Sequence, residues 1–130
     1  RPLKVPGESE PQVPAVSDCV IGVVGLSALD AAAGADTVHR MERFTALTGQ
    51  HEGERISAET LRSIIAHPDG TFRNAPAAAE KVLVLNQADL VPEERIESVV
   101  SDLWKVLPDL SALWVLSHRP SLTIHAYRTR

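Results

Sequence analysis

The sequence predicts an α/β domain with a mainly parallel sheet and flanking helices. Two observations carry this. Three short runs, residues 19–24, 81–85 and 112–116, are almost continuously apolar, as strands buried on both faces are. Between them lie segments with apolar residues at helical spacing, giving the order strand, two helices, strand, helix, strand.

The chain opens with RPLKVPGESEPQVP, four prolines in fourteen residues. Each proline fixes its own backbone and turns its predecessor away from helix, so residues 1–17 read as an extended surface segment. DCVIGVVG follows as a central strand closed by Gly25. A first helix is expected from about Asp36, capped by Asp36 or Thr37, with Val38, Met41, Phe44 and Leu47 on one stripe and Gly49 at its end. Ser57 can cap a second helix that turns Leu61, Ile64 and Ile65 inward and ends at HPDG. Pro92 suits the first position of a third helix, with Glu93 and Glu94 at its positive end. Ile96, Val99, Val100, Leu103 and Leu107 continue it, and Pro108 stops it. LTIHAY alternates, as a half-exposed edge strand does.

Composition narrows the function. The chain has 130 residues, 13 basic against 17 acidic side chains and no Lys/Arg run, which disfavours binding nucleic acid through a basic face. No apolar run is long enough for a membrane helix. Cys19 is the single cysteine, which fits a reducing compartment and leaves no internal disulfide; in an apolar strand it reads as inert core. The five histidines have no metal-ligand spacing, so no metal site is expected.

The stretch VLVLNQADL carries the sharpest functional signal. In open α/β sheets ligands bind outside the carboxyl ends of the strands, where this Asn-Gln-Ala-Asp stands. A carboxylate at Asp89 can accept two parallel hydrogen bonds from guanine, a donor pair that adenine lacks. Asn86 would tie the loop to neighbouring backbone, and Gln87 would lay its stem against the base. Asn and Asp are also common in turns after strands, so a plain polar turn is the competing reading. The run VLVLNQADLVPEERIESV resembles the strand, loop and helix of P-loop GTPases, with Gln87 where those carry lysine. Ser117, ending the next apolar run, stands where such proteins touch the base from its other edge.

Several stretches in order, RPLKVPGESEPQVP, VIGVVGLSAL, TVHRMERFTALTG, HPDGTFRNAP and LNQADL, resemble the YqeC family of selenium-dependent molybdenum hydroxylase accessory proteins. The resemblance implies a P-loop NTPase-like (Rossmann-like) domain of which residues 1–130 are the C-terminal portion, with residues 26–80 as a helical insert between strands. It implies a cytoplasmic protein whose other half holds a Gly-rich phosphate loop and binds GTP or ATP with magnesium. Molybdenum hydroxylases or other selenium and molybdenum maturation proteins are the implied partners. No GxxxxGK[ST] loop occurs in residues 1–130, so no nucleotide turnover is expected from them alone. Arg1 and Lys4 could face phosphates or an anionic substrate, or form a solvated basic pair. Glu8 and Glu10 could bind a cation. His39 and Arg40, at a helix start, could serve a substrate or pair locally. The alternative reading is a non-catalytic module that docks a target enzyme through the insert.

Overall fold

The computed structural model describes residues 2–7 and 12–130; Arg1, Glu8 and Glu10 lie outside the described residues. The fold is α/β. Four strands, β1 (Cys19–Gly25), β2 (Glu80–Asn86), β3 (Ala112–Ser117) and β4 (Thr123–Thr129), form one sheet in the order β1-β2-β3-β4. The first two pairings are parallel and the last antiparallel, so the sheet is mixed. Helices α1 (Met41–Thr48) and α2 (Ala58–Ala66) lie between β1 and β2, and α3 (Glu93–Val106) joins β2 to β3.

One core lies between these helices and one face of the sheet. Leu83, Leu85, Leu113 and Val115 point into it from the strands and are fully buried. Phe44 and Leu47 from α1, Leu61, Ile64 and Ile65 from α2, and Ile96, Val99, Val100 and Leu103 from α3 close it from the other side. Ser57 caps α2 as its sequence suggests: its Oγ accepts from the Thr60 amide, and the Thr60 hydroxyl accepts from the Ser57 amide at 3.0 Å. Pro92 stands just ahead of α3, with Glu93 and Glu94 in the first turn.

Four expectations need correction. Among the described residues the first strand is not central and is not buried on both faces; β1 forms an edge of the sheet, with Ile21 and Val23 62% and 58% exposed. Cys19 is likewise exposed rather than core. The proline-rich opening is not only a surface segment, because Leu3 and Val5 are buried in the core. That insertion also delays the first helix. The Leu3 amide donates to the Thr37 carbonyl and the His39 amide donates to the Leu3 carbonyl, holding residues 37–39 in a parallel bridge. The helix therefore starts at Met41, after Arg40 in a left-handed conformation (φ 64°). Thr37 caps nothing and instead donates its hydroxyl to the Ala32 carbonyl.

Candidate functional site

The candidate site is a cleft of about 390 Å³ at the carboxyl end of β2, lined by Asn86, Gln87, Asp89, Leu90, His118 and Arg119. The sequence explains its floor. β2 ends at Asn86, whose side-chain oxygen accepts from the Gln87 amide at 2.8 Å, while its carbonyl accepts from the Leu26 amide beyond β1. Gln87 then takes a left-handed conformation, φ 64° and ψ 33°. This reverses the chain into a single 3-10 turn, Ala88–Leu90, that buries Ala88 and leaves Asp89 exposed.

Gly25 makes room for the Gln87 side chain. A Cβ there would lie 2.5 Å from Gln87 Oε1, so a side chain at the end of β1 would displace Gln87. The Gln87 side chain thus crosses the end of β1 before reaching the cleft.

The cleft brings a carboxylate and a guanidinium to one space. Among the described residues, neither Asp89 nor Arg119 makes a hydrogen bond or ion pair. An acceptor pair and a rigid fork of donors are therefore both available to a planar polar ligand.

An ion triad braces this end of the sheet. Asp30, in the turn after β1, accepts from Arg95 of α3 through both carboxylate oxygens, at 2.8 and 3.0 Å, and from Arg55 at 2.6 Å. The Arg95 hydrogen bond, reinforced by Arg55, holds the Asp30 carboxyl down at about 2 against the cost of its partial burial. Arg95 is raised in return, first by the same hydrogen bond. The triad fixes the start of α3, and with it the loop that carries Asp89.

Of the residues singled out in the sequence, Asn86, Gln87 and Asp89 come together here. Ser117 does not join them. It is 2% exposed and its Oγ lies 2.9 Å from His125 Nε2, a contact across the β3–β4 hairpin. Alternation along β3 puts Ser117 on the same face as Leu113 and Val115, toward the core. That signal was legible, and it turns attention to the next two residues, His118 and Arg119, which line the cleft.

Lys4, His39 and Arg40 lie elsewhere. Lys4 is exposed beside a separate pocket of about 390 Å³ along the outer edge of β1. Arg40 donates to the Val5 carbonyl at 2.7 Å, tying the opening segment to α1, and His39 is exposed. Among the described residues, no three His, Cys, Asp or Glu side chains converge on a place for a metal ion.

With the geometry in view, two comparisons bear on identity. Residues 1–42 match a family described as YqeC protein. The chain is also 30% identical over 118 residues to a protein of Escherichia coli (strain K12) named "Uncharacterized protein YqeC". Both matches support the YqeC family. The second takes in 88% of this chain but only 44% of the E. coli YqeC protein, so the chain spans less than half the length of that relative. The YqeC family match reaches Lys4, His39 and Arg40 and stops before the cleft. No solved structure matches the chain. Among the described residues no helix is long and apolar enough to cross a membrane.

Proposed function

We propose that this chain is the base-reading portion of a nucleotide-binding accessory protein of the YqeC type, acting in the maturation of selenium-dependent molybdenum hydroxylases. The observation that supports it most is the unpaired Asp89 carboxylate, presented to a cleft at the end of a parallel strand by a loop that Asn86 holds in shape. Asp89 would accept from the ring imino and exocyclic amine of guanine. Arg119, which also lines the cleft, would donate to the base's oxygen and ring-nitrogen edge, as arginine does to guanine elsewhere. The phosphates and magnesium would be held by the portion of the longer polypeptide that lies outside these residues, and GTP is the favoured nucleotide over ATP. The maturation role rests on the family resemblance alone.

The docking-module alternative has less support. The apolar stripes of α1 and α2, the helices of the insert, are spent on the domain's own core through Phe44, Leu47, Leu61, Ile64 and Ile65. Those stripes are therefore not offered to a target.

The test is a titration of the longer polypeptide with GTP and ATP, with and without Asp89→Ala. GTP is expected to bind more tightly, and Asp89→Ala to weaken it by about 10- to 100-fold while leaving ATP unchanged. Equal affinities, or GTP binding indifferent to the substitution, would sink the reading.

A further inference from the structure

The sheet has a second face that no helix covers among the described residues. The register sets Val23 beside Val84, Val84 beside Trp114, and Trp114 beside Tyr127, one unbroken row across all four strands. The Trp114 and Tyr127 rings stack with centroids 5.3 Å apart. Ile21 and Ile124 flank the row, and the edge-strand members Ile21, Val23, Ile124 and Tyr127 are each more than half exposed. Strands about 4.8 Å apart make these side chains contiguous. Scattered apolar residues are normal on surfaces, but a continuous apolar face is not.

The topology explains why nothing here covers it. β1, β2 and β3 follow one another in both sequence and space. Crossovers between parallel strands are right-handed almost without exception, so successive steps in one direction put every helix on one face. Parallel strands are ordinarily covered on both faces. Covering the second one requires strands on the other side of β1, where the direction of winding reverses. β1 has no strand on its outer side among the described residues, although its sequence, CVIGVVG, has none of the charges or prolines that protect a true edge. The E. coli relative carries more than half of its length outside the match.

From these observations we infer that the bare face and the outer edge of β1 are an internal interface. Strand–helix units of the same longer polypeptide, corresponding to the part of the E. coli relative outside the match, pair with β1 and lay apolar helices over Val23, Val84, Trp114 and Tyr127. This stands apart from the nucleotide reading and survives if that reading fails.

The experiment uses the longer polypeptide with Cys19 and every cysteine outside residues 1–130 replaced by Ser, places a single thiol at Val23→Cys, and follows maleimide labelling. Labelling roughly 100-fold slower than in the unfolded protein, at every protein concentration, is the expected result. A rate close to that of the unfolded protein overturns the inference. Protection that fades on dilution overturns it too, because it assigns the face to a second copy of the chain. A second probe guards against damage from the substitution. With Trp104 and every tryptophan outside residues 1–130 replaced by Phe, so that Trp114 alone emits, acrylamide should quench its emission weakly, and quenching as strong as for free tryptophan overturns the inference.

Discussion

The two faces of the sheet are built from similar residues and meet opposite surroundings. Leu83, Leu85, Leu113 and Val115 on one face are fully buried, whereas Ile21 and Val23 on the other are more than half exposed. Apolar composition alone therefore does not say which face a domain fills. The direction in which the chain winds from strand to strand decides it, because that sets the side on which every helix falls.

The largest expected effect tests this contrast directly. In residues 1–130, Leu113→Ala should cost about 2–5 kcal/mol in urea unfolding, since it empties a filled core position. Val84→Ala, one strand away on the open face, should cost less than about 1 kcal/mol, as it removes a contact with little packed above it. Equal losses would break the comparison. In the longer polypeptide the gap between the two substitutions should narrow, which would sharpen it.

A smaller effect concerns the ion triad at the end of the sheet. The Asp30 carboxyl titrates at about 2, below the ordinary carboxylate range near 4. A depressed carboxyl contributes stability that is present above the unfolded value and lost as pH falls through the folded one. The contribution should disappear between about pH 4 and pH 2. Because Asp30 is 37% exposed, solvent screening reduces the expected worth of the triad to about 1 kcal/mol. Asp30→Asn should lose that amount at neutral pH and flatten this part of the acid limb, measured by unfolding at stepped pH. An unchanged acid limb would show that the triad does not couple β1 to α3.

The smallest concerns the helix layer that only one face possesses. Ser57→Ala removes the reciprocal cap of α2 and should cost about 0.5–1 kcal/mol in the same unfolding measurement. No change would mean that α2 is held by its buried stripe alone.

Local rules made much of this legible in advance. Ser57 marked the start of α2 because capping is a matter of a few adjacent residues, and Pro92 marked the start of α3 to within one position, just ahead of the first helical residue rather than at it. The Asn86–Asp89 loop stood out because strand ends and turns have their own chemistry. Other features depended on residues distant in sequence. The late start of α1 comes from Leu3 bridging Val38, and Asp30 meets Arg95 across 65 positions. Arg119 enters the cleft only because the β3–β4 hairpin folds beside the loop, whereas the burial of Ser117 was implicit in the alternation of β3.

By itself, then, the sequence determined the alternation of strands and helices, the cap that starts α2, the proline that precedes α3, and the polar loop after β2. All of these follow from periodicity and short-range hydrogen bonding. The tertiary structure alone decided that β1 lies at an edge among the described residues, that the helices share one face, and that Asp89 and Arg119 line one cleft. Those outcomes turn on pairing and winding, which bring together residues that no local pattern links.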